Sequence, residues 1–183
     1  MNLTNHFLIA MPGLSDPNFH RTVTYLCAHN DEGAMGIVIN RPMDLSLGDV
    51  LKHMDLTVQS PEVAARPVME GGPVQRERGF VLHQPSGDWD SVLQVEGGVA
   101  VATSRDILAA VARDEGPSQA LVALGYAGWG AGQLESEVLD NAWLSGPADP
   151  SIIFDMPYQS RWESAARLLG VDVERLSGEA GHA

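Results

Sequence analysis

Glycine, histidine, cysteine and arginine supply the positions of this chain whose types and spacing could do chemistry. The sharpest local pattern is Gly125-Tyr126-Ala127-Gly128-Trp129-Gly130-Ala131-Gly132-Gln133-Leu134-Glu135. It stands between an expected strand and an expected helix, the context in which glycines bring backbone N–H groups onto a phosphate. Its spacing matches neither the dinucleotide-binding fingerprint nor the P-loop. No lysine follows, and Glu135 and Glu137 would repel an anion from the helix start. A tight turn at 125–132, laying Trp129 against neighbouring backbone, is the plainer expectation; an anionic ligand held by that turn is the alternative.

His29, Asp31 and Glu32 lie close enough in sequence to suggest a metal, and Asp16 with His20 forms a second pair. The first group falls on an expected hairpin turn, where such residues are solvated. No HExxH and no paired CxxC occurs, so no metal or other cofactor is expected. His6 and His83 sit at strand edges and read as structural. Cys27 falls mid-strand on an apolar face and reads as a small buried hydrophobe. No nucleophile elbow is present, and neither paired carboxylates nor a Ser-His-Asp set can be placed, so the chain leans away from catalysis.

Three corners combine polar residues with Pro or Gly: Met11-Pro12-Gly13, Asn40-Arg41-Pro42 and Glu70-Gly71-Gly72-Pro73. Each ends an expected strand. Arg41 either pairs with a nearby carboxylate or offers its fork of donors to a carboxylate or phosphate partner. Together with two aromatics and a glutamine, these corners define a shallow candidate cleft: Met11, Pro12, Asn40, Arg41, Pro42, Gly71, Gly72, Pro73, Tyr126, Trp129 and Gln133. Aromatic residues and arginine dominate interface energetics, which favours a binding role there.

The elements that must position these residues follow from periodicity. Strands are expected at His6–Ala10, Thr22–Ala28, Gly36–Asn40, Gly79–Gln84, Ser91–Val95, Val99–Ala102, Gln119–Tyr126, Ala142–Leu144 and Ser151–Phe154. In the second, Val23, Tyr25 and Cys27 share one face. Ser46 and Asp49 fit a capping box ahead of Leu47, Val50, Leu51 and Met54, an apolar helix face. Thr103 with Asp106 suggests a second box, ahead of Ile107, Leu108 and Val111. A helix is expected from about Gly132 to Asp140. Ser160 with Glu163 suggests a third box, ahead of a helix to Gly170 lined by Trp162, Ala165, Ala166 and Leu169. Strands with short helices interspersed, not strictly alternating, point to a single-domain α/β sandwich: a mixed sheet with short flanking helices. The domain is expected over residues 1–176, with 177–183 a disordered tail.

Composition narrows the function classes. The 183 residues carry 11 basic and 24 acidic side chains, a net charge of −13, with Lys52 the single lysine. Such a field repels nucleic acid and anionic membranes, because a duplex-binding surface needs basic groups to displace counterions. The N-terminus lacks the basic region and cleavage site of a signal peptide. No apolar stretch approaches the roughly 18 residues of a membrane span. One cysteine cannot form an internal disulfide, so a reducing, cytoplasmic setting is expected. A charged domain without an obvious exposed apolar helix is expected to be a monomer.

Longer blocks carry a resemblance. His6-Phe7-Leu8-Ile9-Ala10-Met11-Pro12 is followed by Gly33-Ala34-Met35-Gly36-Ile37-Val38-Ile39-Asn40-Arg41-Pro42, then Gly71-Gly72-Pro73-Val74 and Arg78-Gly79-Phe80-Val81-Leu82-His83. Ala123-Leu124-Gly125-Tyr126-Ala127-Gly128-Trp129 and Asn141-Ala142-Trp143-Leu144 complete the series. In this order they resemble the AlgH/YqgE family of bacterial proteins, over roughly Asn5 to Leu144. The resemblance implies an α/β sandwich on a mixed sheet. It brings no catalytic residues to carry over. Its founding name implies a regulatory role in alginate production, and members are often labelled transcriptional regulators. The charge argues that such regulation works through a protein or small-molecule partner rather than through DNA.

Overall fold

The computed structural model describes residues 1–11, 19–95 and 98–171. Pro12, most of the turn expected after Leu14, and the 177–183 tail lie outside them. The fold is mixed α/β, built on one sheet. Its continuous path runs β10 (Trp143–Pro147), β1 (His6–Ala10), β2 (Val23–Asn30), β3 (Gly33–Val38), β9 (Gln119–Gly130), β6 (Val74–Gln84), β8 (Ala100–Ala102) and β7 (Val92–Gln94). Off this path, β4 (Pro42–Ser46) pairs with β5 (Pro67–Glu70), and β5 joins β9. The β5–β9 contact, Met69 opposite Ala123 and Glu70 opposite Leu124, is parallel; the other pairings are antiparallel.

Side-chain alternation divides most of the strands between the two faces of the sheet. On one face Phe7, Ile9, Val23, Tyr25, Ile37, Leu82 and Leu121 pack under α5 (Pro150–Phe154) and α6 (Arg161–Leu168) through Ile152, Ile153, Trp162 and Ala165. On the other, Val81, Ala102 and Val122 pack under α1 (Leu47–His53), α2 (Pro61–Ala64) and α3 (Arg105–Ala112). Beyond them on the β1–β3 side, Leu8, Leu26, Ala127 and Trp129 meet Leu134 of α4 (Gln133–Leu139). Helices on both faces make the expected sandwich. The Ser46–Asp49 capping box forms as expected, with the serine hydroxyl accepting from the Asp49 N–H and the carboxylate accepting from the Ser46 N–H.

Several local expectations are corrected. The glycine-rich segment is not a turn through Gly132: β9 continues to Gly130, pairing Ala34 with Trp129 and Met35 with Gly128. Its glycine at 125 has φ +80° and acts as a bulge. Before it, Leu121 and Ala123 face the α5–α6 core; after it, Tyr126 faces that core and Ala127 and Trp129 turn away. A Cβ at this position would stand 2.5 Å from the Gly72 carbonyl oxygen, so only glycine allows the two chains to approach.

Ser151–Phe154 is helix rather than strand, because Asp149 caps it by accepting from the Ser151 N–H, and Pro150 opens the first turn. The α3 N-cap is Ser104 rather than Thr103, with no side-chain cap bond. Ser160 precedes α6 in helical conformation and forms no capping bond either. β4 goes unforeseen, since Pro42 reads as a stop; it opens an outer strand and pairs with Met69 there.

Candidate functional site

Pro12 lies outside the described residues, and the structure spreads the other ten candidate residues over separate settings. Asn40 is a clamp: its side-chain oxygen accepts from the Val23 N–H at 2.9 Å, and its amide donates to the Arg21 carbonyl. The carbonyl of Arg41 accepts from the Glu70 N–H, and Pro42 begins β4. Met11, half-buried, donates its N–H to the Ala142 carbonyl. Gly71 and Gly72 are buried beside β9, where the Gly71 N–H meets the Leu124 carbonyl and its own carbonyl accepts from Val38; Pro73 follows them, half-buried. Gln133 accepts from the Gly130 N–H and donates to Glu137.

Trp129 is 6% exposed. Its indole N–H donates to Glu137 Oε1 at 3.2 Å, and the Trp143 indole donates to the same oxygen at 2.9 Å. The two rings stand edge-to-face at 6.0 Å, with Phe19 packed against both. One carboxylate thus satisfies two largely buried indole donors, which would otherwise go without partners.

Of the ten described candidates, Tyr126 and Trp129 line an open groove of about 770 Å3 on the sheet. Its apolar lining comes from Met35 of β3, Tyr126 of β9, Phe80 of β6, Val101 of β8 and Leu93 of β7. The Tyr126 and Phe80 rings meet edge-to-face at 5.8 Å. Leu93 is 43% exposed, high for a large apolar side chain. Asn30, Glu32, Ser91, Thr103 and Arg78 supply the polar groups, and the Arg78 guanidinium lies 5.5 Å from the Phe80 ring centroid, a cation–π contact. Met11, Asn40, Arg41, Pro42, Gly71, Gly72, Pro73 and Gln133 do not line it. The sequence reading misses Met35, Phe80, Arg78 and Leu93. Their signal is alternation in three non-adjacent segments, which becomes a shared surface only when β9 joins β3 to β6.

The suspected titratable groups take structural roles. His29 is buried in β2, not solvated on a turn. Its Nδ1 accepts from the Leu3 N–H at 2.9 Å, so the proton of the neutral ring sits on Nε2, which donates to Glu135 Oε1 at 3.0 Å. That bond holds the Glu135 carboxyl below its ordinary range. Cys27 is 2% exposed, and burial pushes its thiol up to about 12, so the nucleophilic thiolate is disfavoured. Among the described residues no group of three or more His, Cys, Asp or Glu is placed to hold a metal ion.

Against known proteins, a family model described as DUF179, AlgH-like, matches residues 7–174. The chain belongs to the AlgH-like family. Its relatives in that family include a UPF0301 protein of Thioalkalivibrio sulfidiphilus, 62% identical over all of this chain and 97% of the relative. Another, from Nitrosococcus oceani, is 58% identical over 98% of this chain and 96% of the relative. The solution structure of AlgH from Pseudomonas aeruginosa superposes with a TM-score of 0.82 at 50% identity, covering 100% of this chain and 97% of that one. A Corynebacterium diphtheriae protein shares the fold alone, at 19% identity and a TM-score of 0.69 over 90% of this chain and 86% of its own.

Proposed function

We propose that this AlgH-like chain is a regulatory binding protein whose sheet groove takes an apolar side chain from a protein partner. The carrying observation is the groove itself: an aromatic and thioether floor of Phe80, Tyr126 and Met35 beside the exposed Leu93, with Arg78 at hand for a polar anchor. Shallow apolar concavities edged by arginine are the anatomy of interaction sites. The net charge of −13 works against direct contact with a duplex, so regulation through a protein partner is favoured over DNA binding. A single cysteine, buried as its thiol, suits a reducing compartment, and the proposed setting is the cytoplasm, with the chain acting as a monomer.

The test replaces Leu93 with a photo-crosslinking amino acid in living cells. A control carries the same group at Leu139, which is 77% exposed on α4 and does not line the groove. A discrete protein adduct from position 93 and not from 139 is expected. No adduct at 93, or the same adducts from both positions, would overturn the assignment.

The alternative, an anionic ligand on residues 125–132, is less favoured, because residues 125–130 belong to β9 and only Ala131 and Gly132 form a turn.

A further inference from the structure

A second cavity, of about 330 Å3, opens where the sheet is incomplete. β9 pairs with β6 from Gln119 onward, but β5 joins its other side only at Ala123. The edge of β9 from Gln119 to Val122 therefore has no strand on that side among the described residues. Alternate residues of an antiparallel strand turn their N–H and C=O groups outward, so this edge lends backbone donors to the cavity. Leu121, Ile153 and Phe154 give it apolar wall, and Arg66 and Arg161 stand on it as well.

Arg161 is the unusual member. It is 6% exposed, in a chain with a large acidic excess. Its Nε donates to the Met156 carbonyl and its Nη1 to the Ile39 carbonyl, bonds that tie α6 to the end of β3. Neither partner carries charge. Among the described residues no carboxylate pairs with Arg161 or with Arg66. A guanidinium has five N–H donors, and two are used. Burying a cation without a counter-charge is costly, and burial alone draws this one down to about 10, still cationic at neutral pH. Asp155 also lines the cavity, but its Oδ1 accepts from the Gln119 amide at 3.2 Å and it forms no ion pair with either arginine. Two guanidiniums against one carboxylate leave a local charge of +1.

We propose that this cavity binds a small organic monocarboxylate, its head on the forks of Arg161 and Arg66 and its apolar body against Leu121 and Phe154. A planar carboxylate accepts two parallel N–H bonds from a guanidinium, and one negative charge balances the site. The edge N–H groups of β9 can serve the remaining lone pairs. This site is separate from the groove and does not depend on it.

The experiment is an NMR titration of the whole protein with phenylacetate, with phenethyl alcohol as the neutral isostere and phenyl phosphate as the dianion. Phenylacetate should shift the amides of Gln119–Val122 and Phe154 and bind more tightly than either comparison ligand. Arg66→Ala, an exposed position, should keep the fold and weaken binding by about tenfold, the loss of one charge-assisted contact. Arg161→Lys should weaken it further, since an ammonium lacks the fork. The proposal is overturned if phenylacetate gives no shift at these residues in the tens of millimolar. It is equally overturned if the alcohol or the phosphate binds as tightly, or if Arg66→Ala leaves binding unchanged.

Discussion

Glu137 shows how much one side chain carries here. It receives both indole N–H groups and the Gln133 amide. Replacing it with alanine leaves two donors, on residues 6% and 3% exposed, without partners. An unsatisfied buried donor costs roughly 1–3 kcal/mol. Glu137→Ala should therefore lower stability by at least about 2 kcal/mol in urea unfolding and change native tryptophan emission. Glu137→Gln, which keeps a carbonyl acceptor, should lose less. An equal loss from both variants would place the effect in charge rather than in acceptance. Nothing in the sequence marks Glu137, since a glutamate on a short amphipathic helix reads as a solvated face. Its role exists because α4 follows β9 closely and β10 returns beside them. Arg161 is hidden in the same way: it reads as the polar start of a helix. The fork chemistry that the sequence suggests for Arg41 is the chemistry proposed above for Arg161 and Arg66, neither of them at one of the three corners.

At the scale of elements, β9 decides the architecture, and its glycine bulge decides β9. Gly125→Ala combines an unfavourable positive φ with the approach to the Gly72 carbonyl. Strain of this kind costs of order 1–3 kcal/mol before any clash is counted. The expected result is a drop of at least that size in denaturant unfolding; Gly132→Ala tests the reading, because it shares the positive φ but meets nothing within 4 Å. If the two variants lose the same amount, crowding at position 125 is not what requires glycine. Most strands and helices were legible because their alternation or heptad-like spacing survives in the folded state. Val23, Tyr25 and Cys27 do share a core face, and Leu47, Val50 and Leu51 do line α1. The glycine-rich end of β9 was not legible. The residues that permit a turn also permit a bulge and a close strand crossing, and only the partner strands distinguish them. The α5 segment was misread because three apolar residues, Ile152, Ile153 and Phe154, fit either period, and the decisive signal was the Asp149-Pro150 start.

For the whole molecule, acid should be the sensitive direction. Backbone and hydroxyl bonds from Ser46 hold Asp49 below the usual carboxylate range, and His29 does the same for Glu135. Burial pushes Asp106 up, but bonds from Ser104 Oγ and the N–H groups of Asp90 and Ile107 outweigh it and leave the carboxyl lowered. A carboxyl that is more acidic folded than unfolded stabilises the native state above its unfolded pKa. That contribution fades as pH falls through the folded value. Melting temperature should therefore hold steady from neutral pH to about 5 and fall below about 4, the unfolded carboxylate range. Ser46→Ala and Glu135→Gln should each flatten that fall. A profile that drops between pH 8 and 6 instead would overturn this carboxylate account.

The central place of β9 also bears on how the chain comes off the ribosome. The strands it joins, β3 and β6, are finished by residue 84, yet β9 begins only at Gln119 and ends at Gly130. Until that stretch is synthesised, each half-sheet carries a bare edge along its future seam, and bare edges recruit other chains. A nascent polypeptide stalled before β9 has two sticky halves and no clasp. Such a chain would depend on chaperones that shield strand edges during translation, a demand that ends once the twelve residues of β9 slot between them.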